Sequence, residues 1–206
     1  MNSKTLKRLI GSFAVVGVAA AMAGLGTFAT FTSSTSASHT ISSGTVSIAL
    51  GATGAATNRL TVGASNVVPG DTIQRAVDLV NNGGASADNL SSIVLTTTAS
   101  PSSLLDTEAT NGLQMVIEKC SVPWTEAGTA PAYTYTCSGT TSTVLSSRAV
   151  IGASMPLSGL ASLTTGSTDH LRVTVTLPTA APNTMQGLTS TISYNFVGTQ
   201  RVAGSK

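Results

Sequence analysis

The chain has 206 residues, with ten Lys plus Arg, eight Asp plus Glu and only 9% charged side chains. Three of the cations, Lys4, Lys7 and Arg8, sit at the start, which leaves seven positive against eight negative charges in the remainder. With no basic cluster there, and only Trp124, Tyr133, Tyr135, Tyr194 and a few Phe able to stack on bases, the composition argues against nucleic-acid binding.

The first element expected is an export signal. Residues 9–31 carry no charge, are rich in Ala and Gly, and follow the basic start, the pattern of a secretory signal peptide. The run is also long enough to span a bilayer as a hydrophobic helix, so an uncleaved anchor is the alternative. The Ala/Gly content and the Ser/Thr sequence that follows favour cleavage, in the region of Ala29 and Thr30 or after Ala37. The expected organisation is a signal over 1–30, a Ser/Thr-rich mature segment over 31–43 and one domain over 44–206. About 170 residues remain after cleavage, enough for a single sizeable core. Because charge is scarce, solubility must rest on Ser, Thr, Asn and Gly.

Beyond residue 45 hydrophobic side chains recur with period two. Val46, Ile48 and Leu50 alternate with Thr45, Ser47 and Ala49, and similar patterns run through 73–80, 93–98, 113–118, 171–177 and 188–196. Such alternation predicts strands with one buried face. Turn-formers separate the runs: Pro69-Gly70-Asp71, Asn81-Asn82-Gly83-Gly84, Pro101-Ser102-Ser103, Ser138-Gly139 and Pro182-Asn183. Pro69 and Gly70 suit a tight turn in which the Asp71 carboxylate accepts backbone N–H groups, while Asn82 and Gly83 supply positive-φ positions after the next strand. Short helical turns are expected within 100–111 and 158–163. Many short strands with this punctuation predict an all-β antiparallel sandwich or barrel.

Cys120 and Cys137, the two cysteines of an exported chain, predict one disulfide. It closes a loop of about 17 residues, worth about 3 kcal/mol in the chain-entropy model. A metal site is the competing use, but the histidines are His39 and His170 alone. No His-Glu-x-x-His, Gly-x-Ser-x-Gly or Gly-x-x-x-x-Gly-Lys motif is present. His170, after Asp169, reads as a solvated strand-edge residue, and Asp106 with Glu108 as solvated loop charge. Asp71, Asp78 and Asp88 lack the spacing of a Ca²⁺ loop. Trp124 reads as an anchor buried under the Cys120–Cys137 loop, with an exposed contact as the alternative. No catalytic residue, metal ligand or cofactor is expected.

Four stretches in order, behind that signal, resemble the TasA/camelysin family of exported bacterial matrix proteins, whose signals are processed by a SipW-type signal peptidase. Residues 24–32 are similar to that family's signal end. Ile41-Ser42-Ser43-Gly44-Thr45-Val46-Ser47-Ile48 is similar to its first mature strand. Pro69-Gly70-Asp71 followed by Val80-Asn81-Asn82-Gly83-Gly84 resembles its turn, strand and turn, and Asn183-Thr184-Met185-Gln186-Gly187, Ile192-Ser193-Tyr194-Asn195-Phe196 and Thr199-Gln200 resemble its C-terminal part. Ile41 stands where an aromatic is usual, Thr32-Ser33 replaces an acidic residue, and the Cys120–Cys137 segment is not part of the better-known members.

The resemblance implies a jelly-roll sandwich. It further implies that the mature N-terminal segment, with Phe31, Ile41, Gly44, Val46, Ile48 and Leu50, donates a strand to the next subunit and so builds an open filament. The expected function is a secreted structural subunit of a bacterial extracellular matrix or surface fibre. Its expected partners are itself, an accessory matrix protein and the SipW-type peptidase, and it meets the membrane only through the signal before cleavage. Two alternatives stay open: a secreted metalloprotease, as described for camelysin, and a monomeric surface adhesin or binding module.

Overall fold

The computed structural model describes residues 47–61, 63–64, 66–84 and 88–201. Ala29, Thr30, Phe31, Ala37, His39, Ile41, Gly44 and Val46 lie outside the described residues. Ten strands follow in chain order: β1 Ile48–Leu50, β2 Thr72–Asn81, β3 Leu90–Ala99, β4 Gln114–Cys120, β5 Thr125–Ala127, β6 Thr134–Thr136, β7 Thr141–Ala149, β8 Gly152–Pro156, β9 Thr168–Thr176 and β10 Ile192–Gln200. A single-turn helix, α1, covers Leu104–Thr107.

One sheet has the order β1-β2-β9-β4-β7, a second the order β10-β3-β8, and β5-β6 form a separate ribbon, with antiparallel pairing throughout. The chain changes sheet between β2 and β3, β3 and β4, β7 and β8, β8 and β9, and β9 and β10, the winding of a jelly roll. The all-β antiparallel sandwich expected from the sequence is therefore present.

Alternation explains how the layers close. On β9, Asp169, Leu171, Val173 and Val175 are buried while His170, Arg172 and Thr174 point to the other face. Val77 and Leu79 of β2 and Met115 and Ile117 of β4 join them against Ile93 and Leu95 of β3 and Met155 of β8. The buried Thr97 hydroxyl donates to Val150 O at 2.6 Å and accepts from Gly152 N at 2.9 Å, tying β3 to the corner where β7 passes into β8. Both of its hydrogen-bonding roles are filled, so its burial costs little.

The Pro69-Gly70-Asp71 turn has Gly70 at φ +99° and an Asp71 carboxylate that accepts Val68 N at 2.9 Å. The Asn82-Gly83 turn differs from expectation, since neither residue has positive φ. The buried side chain of Asn81 shapes it instead, accepting Gly83 N at 3.0 Å and donating to Asp88 O at 3.2 Å. Gly83 is required by close approach: a β-carbon there would lie 2.3 Å from Asp88 Cβ.

Candidate functional site

The two sides of the sandwich end differently. On one side β7 and β8 are the outer strands, and both are poor templates for another chain. The β7 register with β4 is broken twice, and β8 is five residues long, shifts register against β3 and ends at Pro156. Bulges, shortness and proline are standard protections of a sheet edge.

On the other side β10 has none of these over most of its length. It runs nine residues without charge or proline and keeps a regular register with β3 until a shift at Thr199/Gln200. Among the described residues no strand pairs with its outer side. Alternate N–H and C=O groups of β10 therefore face away from β3. The inward side chains are also incompletely covered: Ile192, Tyr194 and Phe196 pack on the core yet stay half-buried, whereas their β3 neighbours Ile93 and Leu95 are fully buried.

The N-terminal strand begins at this same side. Ile48, Ala49 and Leu50 pair with Asn81, Val80 and Leu79 of their own β2, and Asn82 N donates to Ser47 O at 2.8 Å. A β-carbon on Gly198 would lie 3.0 Å from Leu90 Cδ1 and 3.3 Å from Ile48 Cγ2, so β1, β3 and β10 converge at a position only glycine fills without displacement. The chain thus enters β1 beside the end of β10. Of the residues expected to donate a strand, Ile48 and Leu50 belong here to their own sheet.

The disulfide joins Cys120, the last residue of β4, to Cys137, with the Cα atoms 5.7 Å apart. The enclosed ribbon folds back over the outer face of the five-stranded sheet. Trp124 Nε1 donates to His170 O at 2.8 Å, and the Arg172 guanidinium lies 4.4 Å from the Trp124 ring centroid. Tyr135 N donates to Gln74 Oε1 at 3.2 Å, Tyr135 Oη to Glu126 at 2.9 Å, and Glu126 pairs with Arg59 at 2.6 Å. The ribbon therefore spans the face from β4 to the strand edge at Arg59, with Trp124 half-buried as its anchor. Burial, followed by the neighbouring Glu126 carboxylate, pushes the Tyr135 hydroxyl up to about 12.

The remaining titratable candidates are structural. His170 is not a solvated edge residue, because β9 lies between β2 and β4; its Nδ1 is 2.7 Å from Asp78 Oδ1. Asp106 is not solvated loop charge: it is buried in the capping box of α1, accepting from Ser102 Oγ, Ser103 N and Ser190 Oγ. Burial alone would raise its pKa, but those hydrogen bonds hold it below the usual carboxylate range. Glu108 accepts from the Thr110, Asn111 and Gly112 amides, which explains its place after the helix. Asp169 is buried and accepts from Ala161 N at 3.0 Å, Ser162 N at 2.7 Å and Lys119 Nζ at 3.2 Å. Burial opposes its ionisation, and these donors reverse that and hold its pKa low.

A family model described as camelysin metallo-endopeptidase matches residues 5–205. The chain belongs to the camelysin family. No curated protein matches it significantly. The family description implies a catalytic metal, and the donors described above do not fit one. Among the described residues no three His, Cys, Asp or Glu side chains converge. The described histidine shares its Nδ1 with Asp78, both cysteines are in the disulfide, and Glu118 and Glu126 are paired with Arg172 and Arg59. Among the described residues, the feature left open by the fold is the β10 edge rather than a ligand cluster.

Proposed function

We propose that the protein is an exported structural subunit of a bacterial extracellular matrix or surface fibre, polymerising by strand donation onto β10. The open, uncharged β10 edge carries this reading, because an added strand satisfies its outward N–H and C=O groups and covers Tyr194 and Phe196. The donor is the stretch before β1, residues 31–46, with Phe31, Ile41, Gly44 and Val46, and β1 remains in its own sheet. Fully extended, these residues reach about 50 Å, against about 30 Å for β10. That is long enough to leave one subunit and cover the edge of the next.

Hydrogen bonds alone do not drive the step. Each contributes about 1 kcal/mol net, while fixing each donor residue costs about 1–2 kcal/mol, so the apolar side chains of the donor must cover the half-buried β10 residues. A head-to-tail contact of this kind does not close on itself and yields filaments.

The reading includes no peptidase activity, since the carboxylates and the described histidine are each committed to structural partners. Zinc content of the purified protein, with casein cleavage with and without chelator, checks this point. Stoichiometric zinc with chelator-sensitive cleavage contradicts it. For assembly, the exported protein should polymerise, and a version beginning at Ser47 should stay monomeric with an unchanged cooperative melt. Filaments formed equally well by the truncated protein would refute strand donation.

A further inference from the structure

The inward row of β10 is Ile192, Tyr194, Phe196 and Gly198, and Tyr194 is its polar member. The Tyr194 ring packs on the core and stays half-buried beside the open edge. Its hydroxyl makes no hydrogen bond among the described residues. Burial pushes that hydroxyl up to about 12, and the charge acting on it in the opposite direction is the Arg75 guanidinium of β2. Arg75 is itself buried, donating to Gln74 O at 2.6 Å, Gly63 O at 2.9 Å and Pro131 O at 3.1 Å. Tyr135 is the contrast, because its hydroxyl donates to Glu126. A strand laid along β10 strips the remaining water from Tyr194. Its hydroxyl then carries the cost of an unpaired buried group unless the strand brings a partner.

We propose that His39 of the donated segment is this partner, its imidazole hydrogen-bonding the Tyr194 hydroxyl of the next subunit. The inference rests on strand donation onto β10. Reach selects the residue. From Phe31 to Val46 the polar side chains are Ser, Thr and His39. A Ser or Thr hydroxyl sits on the atom next to Cβ, too short to span from a neighbouring strand to the tip of a tyrosine ring. Aromatic and long side chains do reach their direct and diagonal cross-strand neighbours. Period two puts His39 on the same strand face as Ala37 and Ile41. With His39 opposite Tyr194, those two fall opposite Ile192 and Phe196, in one order for parallel pairing and the other for antiparallel. Cleavage near Ala29 or after Ala37 leaves His39 in the mature chain. A neutral imidazole offers one donor and one acceptor, and either suits a phenol. A protonated one brings a second positive charge toward Arg75 in a poorly hydrated cleft, which disfavours the charged form. Nothing on β1, β3 or β10 offsets that charge, because none of the three carries an acidic residue. Tyr133 and Tyr135, which act on Arg75, supply no negative charge near neutral pH, and Glu126 beyond them is paired with Arg59.

Assembly then requires neutral His39, and light scattering of the exported protein tests this through the lowest concentration at which filaments appear. For wild type that concentration should rise about tenfold as pH falls from about 7.5 to about 5.5, across the ordinary histidine value of about 6.5. His39→Gln keeps a hydrogen-bonding side chain that does not titrate, so it should assemble without this step. His170, paired with Asp78, is present in both proteins, so the difference between the two profiles belongs to residue 39. At about pH 7.5, His39→Leu should need about ten times the wild-type concentration, because the Tyr194 hydroxyl is then buried unpaired. Tyr194→Phe should erase the difference between His39 and His39→Leu. It should also leave the melting temperature of the monomer unchanged or higher, since the hydroxyl it removes has no hydrogen bond there. Coincident pH profiles for wild type and His39→Gln, or a His39→Leu penalty that persists in Tyr194→Phe, overturn this contact and leave strand donation standing. Wild-type protein that forms no filaments at any pH, or filaments from the chain that begins at Ser47, overturns both.

Discussion

Replacing Cys120 and Cys137 together by Ala removes the disulfide while leaving the ribbon's contacts with the sheet in place. The bridge closes a loop with a sequence separation of 17, and its constraint on the unfolded chain corresponds to about 3 kcal/mol. For a sandwich of this size each kcal/mol moves the melting temperature by about 2–4 °C, so the double variant should melt about 6–12 °C lower. Trp124 is the sole tryptophan, and it sits in the ribbon with its indole N–H on His170 O and its ring against Arg172. Its fluorescence therefore reports ribbon docking, while far-ultraviolet circular dichroism reports the sandwich. The two signals should stay superimposed in the variant, because Trp124, Tyr135, Glu126 and Arg172 still bind the ribbon to β2 and β9. A melting temperature unchanged within about 2 °C would refute the loop-entropy reasoning. A tryptophan transition well below the dichroism transition would show that the bridge, not the sheet contacts, holds the ribbon down.

Leu95→Ala, between the sheets and fully buried, should cost about 2–5 kcal/mol in urea unfolding. Asp169 and Asp106 have depressed folded-state pKa values, as does Glu126 through its hydrogen bonds from Arg59, so their contribution is complete above the unfolded carboxylate range. Stability measured by urea unfolding should accordingly fall as pH drops below about 4.5, and an Asp169→Asn variant should show a weaker fall. Tyr135 has the opposite linkage: raised to about 12 in the fold, it contributes fully below its unfolded value near 10. That stability is lost as pH rises toward 12, and because burial also raises Tyr194 to about 12, a 295 nm titration should show two late-ionising tyrosines, of which one remains in Tyr135→Phe. In the donor segment, Ile41→Ser with Val46→Ser should slow filament growth at least tenfold in light scattering without moving the melting temperature, since apolar cover of β10 is their proposed contribution.

The long strands were legible because burial alternates along β3, β4, β9 and β10, and in part along β2, where Arg75, Ala76 and Val77 are buried in succession. β2, β3, β4, β9 and β10 all fall on stretches where apolar residues alternate in the sequence. β7 was not predicted for a reason visible in its register: the irregularities against β4 bury Val144 and Leu145 consecutively, so period two fails there. β8 buries only Met155, and β5 and β6 have three residues each, too few for any period to show. The turn at 81–84 was read from its glycines, yet the buried Asn81 amide organises it through partners that are distant until the chain folds. His170 looked like an edge residue because sequence does not give strand order, which places β9 in the middle of its sheet. The open edge was illegible for the same reason. Nothing in 192–200 distinguishes an edge strand from a central one until β10 is seen at the end of its sheet.

Strand donation onto β10 is tested most directly by amide hydrogen exchange on the monomeric and the polymerised protein. The account predicts that alternate amides within 192–199 exchange quickly in the monomer and become protected on polymerisation, while those of β7 do not change. Filaments that form with the β10 amides as exchangeable as before would contradict it.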